Sequence, residues 1–326
     1  MDNFNSTLHN SPVHKIAIIG AGKVGTTFAY ALILNGLAGE IVLIDVDKER
    51  TEGEVMDLSH AVPLSSPVRI WNGEYADCAG ANIIVITAGA SQRPGETRLD
   101  LLKRNTAIFR QILPQVLEYN RSAILLIATN PVDVLSYASW KLSGLDAARV
   151  IGSGTVLDTA RFRSLISTRF NLDARNVHAF IIGEHGDSEV AVWSSANIAG
   201  VPMQDYCRQI GNEICGDDRQ RITDEVRNAA YEIIKRKGAT YYAVGMGLAR
   251  IVESILRDQN SVLSISSLVP GLYGIEDVYL SLPTVLGQNG VERVLELNLD
   301  DSEMADLLHS AAVMRQVIDQ LDIQPL

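Results

Sequence analysis

Lys15-Ile-Ala-Ile-Ile-Gly20-Ala-Gly22-Lys-Val-Gly25, carried through a helical run to Ile41-Val-Leu-Ile-Asp45, is the stretch on which the fold turns. An apolar run breaks into glycines, a helix follows, and a second apolar run ends in an acid. This is a strand–helix–strand unit with a phosphate-binding turn. Gly20 allows the tight turn off the strand, Gly22 lets a pyrophosphate approach the backbone, and Gly25 lets the helix pack close to the sheet. The helix then aims its N-terminal amides and positive dipole end at the phosphates. Asp45, 20 residues after Gly25, is placed to accept hydrogen bonds from ribose hydroxyls. A glycine turn alone also suits an ordinary strand-to-helix connection; strand, helix and terminal acid together read as a dinucleotide site. Asp45 favours NAD over NADP, because a carboxylate repels a 2′-phosphate and Val46 supplies no cation in its place.

Outward from this unit, the first half alternates strand and helix. Helices are expected at 48–61, 99–119 and 132–143. Strands are expected at Val68–Trp71, Asn82–Thr87, Ala123–Ala128 and Arg149–Gly152. Continuous apolar strands between helices imply a parallel sheet covered on both faces. Beyond Ser153 the alternation fades. Helical patterns appear at 156–170, 223–236 and 239–257, strands at Ala179–Ile182 and Val262–Leu268, and hairpins in 271–300. A last helix spans 302–321, capped by Asp301 or Ser302. The expected fold class is α/β, a Rossmann-type doubly wound parallel sheet followed by an α+β substrate and catalytic domain. Residues 1–13 read as a loose tail, 14–152 as the nucleotide-binding domain, and 153–326 as the substrate and oligomerisation domain.

The 326 residues exceed one typical domain, and 47% apolar with 21% charged residues is ordinary for a soluble protein. A net charge of −11 argues against a nucleic-acid partner and requires any site for an anion to concentrate its cations locally. Cys78, Cys207 and Cys215 form no C-x-x-C, so neither a disulfide framework nor a metal site is expected, and a reducing cytoplasm fits. The tail lacks the basic start and apolar core of a signal peptide. No apolar run reaches the roughly 18 residues of a membrane span.

Four further spots carry reactive residue types. The loop Ala88-Gly-Ala-Ser-Gln-Arg-Pro-Gly-Glu-Thr-Arg98 follows a strand carboxyl end, where ligands of open α/β sheets bind. It reads either as a solvated basic loop or as a lid that brings an arginine over a bound carbonyl. Asp158 and Arg161 are neighbours on one helix face, and alone they read as an intrahelical ion pair. His185, between Gly183-Glu and Gly-Asp187, ends an apolar strand, where it is either a turn residue or a proton donor and acceptor. Thr240 stands at a helix start, where it serves equally as a cap. Together these residues compose a reaction. Hydride transfer to a 2-oxo acid needs a proton donor, a carboxylate that holds the donor charged, a cation on the carbonyl and a cation on the substrate carboxylate. His185, Asp158, Arg98 and Arg161 supply these in that order. An arginine fork matches the two oxygens of a carboxylate.

Seven segments carry a resemblance from about Lys15 to the C-terminus: Gly20-Ala-Gly-Lys-Val-Gly25, Met56-Asp-Leu-Ser-His60, Gln92-Arg-Pro-Gly-Glu-Thr-Arg98, Thr129-Asn-Pro131, Leu157-Asp-Thr-Ala-Arg161, Gly183-Glu-His-Gly-Asp187 and Lys237-Gly-Ala-Thr240. On these the chain resembles the lactate/malate dehydrogenase family, and within it the bacterial L-lactate dehydrogenases. The resemblance implies NAD-dependent interconversion of pyruvate and L-lactate, the fermentative end of glycolysis. It implies His185 as proton donor, Asp158 as its partner, Arg161 as carboxylate anchor and Arg98 as the residue closing over the carbonyl. It adds Asn130 near the substrate oxygen, Thr240 at the pocket wall and Ser153 near the nicotinamide. Lys23, Val24 and Ala88 join the glycines, Asp45, Asn130 and Ser153 as cofactor contacts.

Malate enzymes of the family resemble Arg-x-Pro-Gly in the loop, their arginine pairing with the second carboxylate of oxaloacetate. This chain has Gln92 there. A neutral amide leaves that carboxylate desolvated and unpaired, which is costly. Glu96 adds a like charge, and Leu99 stands where malate enzymes tend to carry an acid. All three point to pyruvate, although a one-residue slip of the loop would bring Arg93 to the pocket. The alternatives are therefore a malate dehydrogenase, a branched 2-hydroxyacid dehydrogenase, or a non-catalytic NAD-binding protein. Arg163 and His178 match the positions at which family members responsive to fructose 1,6-bisphosphate hold its phosphates at a subunit interface. The resemblance thus implies a homotetramer with this sugar bisphosphate as effector.

Overall fold

The computed structural model describes residues 14–90, 95, 97–211, 216–321 and 323, with Arg98 described in its backbone only. The tail 1–13, Gln92, Arg93, Glu96 and Cys215 lie outside the described residues. The first half runs β1 (Lys15–Ile19), α1 (Lys23–Asn35), β2 (Glu40–Ile44), α2 (Lys48–Ala61), β3 (Arg69–Asn72), β4 (Ile83–Ile86), α3 (Arg98–Tyr119), β5 (Ile124–Ile127), α4 (Val132–Ser143) and β6 (Val150–Gly152). There follow α5 (Val156–Phe170), β7 (Val177–Ile182), β8 (Val190–Ile198), β9 (Val201–Pro202), α6 (Met203–Ile210), α7 (Gly216–Lys237) and α8 (Tyr242–Leu256). The chain closes with β10 (Ser261–Leu268), β11 (Tyr279–Gly287), β12 (Gly290–Val294) and α9 (Asp301–Asp319).

The strands of the first half are mutually parallel in the order β6-β5-β4-β1-β2-β3. β4 and β5 are buried at every position, as their unbroken apolar runs require when helices cover both faces. The order reverses between β1 and β4. A crevice opens there beyond the strand ends, the usual ligand position in such sheets. The sheet does not stop at residue 152. β10, β11 and β12 continue it antiparallel from β6, which makes one nine-stranded mixed sheet. β7, β8 and β9 form a separate antiparallel sheet beside it.

Two apolar clusters fill the faces of the large sheet, and a third lies between β7, β8, α5, α6 and α7. α8 returns from the second half to pack on α1, and Gly245 makes this approach possible. A Cβ there would lie 2.9 Å from Thr27 Cγ2 and 3.1 Å from the Phe28 nitrogen. The start of α8, just after Thr240, is thereby brought beside the glycine turn, with Lys23 Nζ 5.8 Å from the Tyr241 ring centre.

Several expectations shift, most by less than a turn and α7 by about two. α9 is capped by Asp300 rather than Asp301 or Ser302, through a reciprocal bond with Glu303 that satisfies two helix-end amides. Tyr241, not Thr240, occupies the capping position of α8, so Thr240 is outside the helix. α7 starts seven residues before the expected 223, and β8 and α6 were not anticipated. β8 does carry the period-two burial of a half-buried strand, but the apolar residue Trp193 on its more open side hides that alternation.

Candidate active site

The three glycines of the turn divide their work as the motif requires. Gly20 has φ +109°, and a Cβ there would lie 2.5 Å from the Ala88 nitrogen. A Cβ on Gly25 would lie 2.0 Å from the Gly20 carbonyl oxygen. Both are sites where the backbone itself forbids a side chain. At Gly22 a Cβ would meet nothing within 4 Å, so this glycine keeps open space over the amino end of α1, where a diphosphate fits. Asp45 stands at the end of β2 in a fixed rotamer: Oδ2 accepts the Ala21 N–H at 2.7 Å and Oδ1 the Asp47 N–H at 3.0 Å. Arg50, from the first turn of α2, also donates to Asp45 Oδ2 at 3.1 Å. The cation that Val46 does not supply comes from Arg50, one helical turn further on.

Past the crevice, a chain of charged groups links α5 to the end of β7. His185 Nδ1 lies 2.6 Å from Asp158 Oδ2, and Arg161 donates to Asp158 Oδ1 at 2.8 Å. The Asp158 side chain is 3% exposed and that of His185 24%. Burial works against the carboxylate of Asp158, yet the charges of His185 and Arg161 outweigh it and hold the group below the usual aspartate range. Burial likewise opposes the imidazolium of His185. Asp158 most of all, then Asp133 and Glu189, override it and raise the histidine to about 9. At neutral pH the ring is therefore charged. Its Nδ1 proton faces Asp158, and Nε2 is the nitrogen left to serve a ligand.

The loop bearing His185 is pinned from several directions. Gly183, at φ +84°, exchanges two backbone bonds of 2.9 Å with Ser281 of β11. Ser310 of α9 accepts the Glu184 N–H at 2.8 Å. Asp133 of α4 accepts the His185 N–H at 2.7 Å. Asp133 and Glu189 were not singled out in the sequence. Both are buried, and burial raises them to about 6 and about 8 respectively.

Asn130 is exposed at the end of β5, before a cis bond to Pro131. Asn105 of α3, 1% exposed, donates to the Asn130 carbonyl at 2.9 Å and accepts the Ala90 N–H at 2.8 Å. It ties the loop after β4 to the loop after β5, another positioning role the sequence reading missed. Ala88 closes on β1 through a 2.8 Å bond to the Ile19 carbonyl, Ser153 donates to the Ile127 carbonyl at 2.8 Å, and both are half-buried. Lys23 is exposed and Val24 half-buried at the start of α1. Gln92, expected to select the substrate, and the side chain of Arg98 lie outside the described residues; the Arg98 backbone opens α3, behind a Thr97–Asp100 capping box.

Arg163 leaves α5 toward β7, where its Nε donates to the Ala179 carbonyl at 2.9 Å and its guanidinium lies 5.1 Å from the Phe180 ring centre. Burial lowers its proton affinity. His178 is exposed two positions before Phe180, on the same side of the strand. The two expected effector residues thus sit on one face, apart from the His185 cluster.

A cavity of about 900 Å³ lies between α5 and α7, and Arg161 is at its wall. Asp217, Asp224, Glu225 and Glu232 line it against Arg161 and Arg221, so its charge disfavours a small carboxylate. The crevice, not this cavity, fits the chemistry. Among the described residues, no group of three or more His, Cys, Asp or Glu is arranged to hold a metal ion.

A family model described as lactate/malate dehydrogenase, NAD binding domain, matches residues 14–152, and one described as its alpha/beta C-terminal domain matches 155–322. The L-lactate dehydrogenase of Acetivibrio thermocellus is 53% identical over 315 residues, covering 97% of this chain and 99% of the relative. That of Thermoanaerobacter pseudethanolicus is 54% identical over 311 residues, covering 95% and 100%. Among solved structures, the minor L-lactate dehydrogenase of Enterococcus mundtii in its ligands-bound form superimposes with a TM-score of 0.93 at 43% identity, covering 96% of this chain and 99% of that one.

Proposed function

Because this chain belongs to the lactate/malate dehydrogenase family, we infer that it reduces pyruvate to L-lactate with NADH, and catalyses the reverse. The observation that carries this reading is the run Arg161–Asp158–His185, an imidazole held at Nδ1 by a buried carboxylate and with no hydrogen bond at Nε2 among the described residues, beside a built dinucleotide turn.

NADH, when bound, supplies the hydride. Gly20, Gly22, Lys23, Val24 and Gly25 would hold its diphosphate, Asp45 its adenosine ribose, and Ala88, Asn130 and Ser153 its nicotinamide half. Arg161 pairs with the substrate carboxylate, and Arg98 polarises the ketone. His185 gives its Nε2 proton to the oxygen as negative charge develops there. Asp158 fixes the tautomer and favours the charged ring until that proton leaves. Asn130 and Thr240 bound the pocket. Gln92 leaves no counter-charge for a second carboxylate, which favours pyruvate over oxaloacetate. The portion 14–152 supplies most of the nucleotide contacts together with Gln92, Arg98 and Asn130, and 153–326 supplies His185, Asp158, Arg161 and Thr240. The free buried thiols of Cys78 and Cys207 agree with a reducing cytoplasm.

We further propose that fructose 1,6-bisphosphate binds at Arg163 and His178 across an interface of a homotetramer. Arg163 reaches from α5 to Phe180 of β7, two positions from the exposed His178, which supports this. A phosphate there would relieve repulsion between cations of two subunits and favour the assembled state. The test is NADH oxidation with pyruvate and with oxaloacetate, each with and without the bisphosphate, alongside the oligomer mass. Preference for pyruvate supports Gln92 as selector; preference for oxaloacetate means Arg93 faces the substrate. A saturation curve and mass indifferent to the bisphosphate would refute the effector site.

A further inference from the structure

His185 is gripped twice, by Asp158 on its ring and by Asp133 on its backbone. Asp133 lies in the first turn of α4, three residues after Asn130, and is 2% exposed. Its Oδ2 accepts the His185 N–H, and the hydroxyl of Ser266 stands beside the same carboxyl and favours its charged form. A carboxylate only 2% exposed is still costly to keep charged, and burial raises it to about 6. A serine or asparagine could accept the same N–H with no ionic charge to bury. The charge of Asp133 is therefore what needs a reason.

The charged groups around it supply one. Glu184, on the His185 loop, repels it, and His185 attracts it. Asp158 and Arg161 on α5 offset each other through their own bond. Glu189 at the edge of β8, with Arg227 of α7 beside its carbonyl, also faces His185. Of these, the imidazole is the group that gives up a proton during the proposed reaction. Asp133 also reaches from the helix that follows Asn130, so it couples the Asn130 loop to the His185 loop through one bond.

We propose that Asp133 is a positioning residue of the reaction: it locks the His185 backbone to the Asn130 segment, and its negative charge keeps the imidazole protonated until transfer. The proton still passes from His185 Nε2 to the substrate oxygen; Asp133 neither donates nor accepts it. This inference rests on the dehydrogenase reading above.

Asp133→Asn keeps an acceptor for the N–H and removes the charge, whereas Asp133→Ala removes both. Steady-state kinetics with pyruvate and NADH across neutral and alkaline pH should separate the two. For Asp133→Asn the KM for NADH should hold, while the alkaline limb of kcat/KM for pyruvate moves down by about one pH unit. For Asp133→Ala kcat should fall a further tenfold or more, on the order expected when a reacting group is misplaced. An Asp133→Asn enzyme with the wild-type pH profile would overturn the proposal and leave Asp133 as a backbone acceptor only.

A second measurement does not require either variant to fold. The His185 ring is titrated by isotope-edited NMR in the wild type and in Asp158→Asn. If the variant ring still titrates above an ordinary histidine despite its burial, a second carboxylate supports its charge. A fall to or below about 6.5 refutes that. Failure of the dehydrogenase reading is distinguishable, because then the wild type itself would not turn over pyruvate.

Discussion

Replacing Asp158 by asparagine tests the electrostatics at the centre of the site. The side chain keeps its size and can still meet His185 Nδ1 and Arg161, which lie at 2.6 and 2.8 Å, but it loses its charge. His185 is raised from 6.5 to about 9, with Asp158 the largest of the groups that raise it. At 1.36 kcal/mol per pH unit, that rise favours the charged ring by roughly 3 kcal/mol. Asp133 and Glu189 still support the ring in the variant, but it loses the largest of its carboxyl neighbours, and a smaller fraction stays protonated above neutral pH. Pyruvate reduction should therefore fall most at alkaline pH, and by about 10² to 10⁴ once misorientation weakens general acid catalysis. The loss should shrink as the pH is lowered, because acid restores the proton. Lactate oxidation, which starts from the neutral ring, should show an alkaline rise that moves to lower pH. The assay is NADH absorbance in both directions over a pH series, with NADH affinity measured separately by fluorescence. If reduction were lost equally at every pH, the charge of His185 would not be what Asp158 controls, and the reasoning would be refuted.

Other perturbations have equally definite outcomes. Gly25→Ala drives a Cβ to 2.0 Å from the Gly20 carbonyl and should destabilise the apo protein by about 1–3 kcal/mol, read in a thermal melt. Gly22→Ala meets no atom within 4 Å and should leave that melt unchanged while weakening NADH binding in a fluorescence titration. Glu189→Gln removes a buried carboxyl raised to about 8, whose ionisation in the folded state is disfavoured. Its melting temperature should match wild type below about pH 4.5, gain progressively as the pH rises from there, and exceed wild type by at least about 2 °C above pH 8; an equal gain at pH 4 would contradict the burial argument. Asp45→Ser frees Arg50, now bonded to Asp45 at 3.1 Å, to meet a 2′-phosphate. The KM for NADPH should drop relative to that for NADH, and Asp45→Ser with Arg50→Ala should lose the gain.

The parts of the fold that were legible in the sequence are those where one local rule dominates. β4 and β5 are buried on both faces, so apolar runs announce them without ambiguity. The glycines and Asp45 are legible because backbone geometry admits few residue types there. β8 and α6 were not, since their form depends on packing against β7 and α5, which no local pattern contains. The continuation of the large sheet through β10–β12 is also non-local: the chain leaves at β6 and returns more than a hundred residues later. Within the site, His185, Asp158 and Arg161 were legible as residue types with reactive chemistry. Asp133 and Asn105 were not, because each acts through a bond to a backbone group far away in sequence; Arg50 lies only five positions from Asp45, but which way its side chain turns is set by the packed helix. Asp133 meets His185 across 52 positions and Asn105 meets Asn130 across 25.

Those less legible residues explain how a chain of net charge −11 can accept an anionic substrate. Around the imidazole stand three carboxyls, Asp158, Asp133 and Glu189, and two cations, the charged His185 and Arg161. Were all three acids ionised, the group would carry a surplus negative charge in a place with little water to screen it, and a 2-oxo acid would be repelled. Burial prevents this at Glu189, which at about 8 stays protonated at neutral pH. Asp158 and Asp133 are then balanced by His185 and Arg161, and the incoming carboxylate meets a neutral cluster with an arginine at its edge. On the proposed mechanism, His185 releases its proton as alkoxide charge develops, and the negative charge passes to the cluster. The uncompensated carboxylates then favour reprotonation of the ring, which resets the site. The same balance predicts what fails on the alkaline side. Ionisation of Glu189 there restores the surplus negative charge, so affinity for the anionic substrate should weaken.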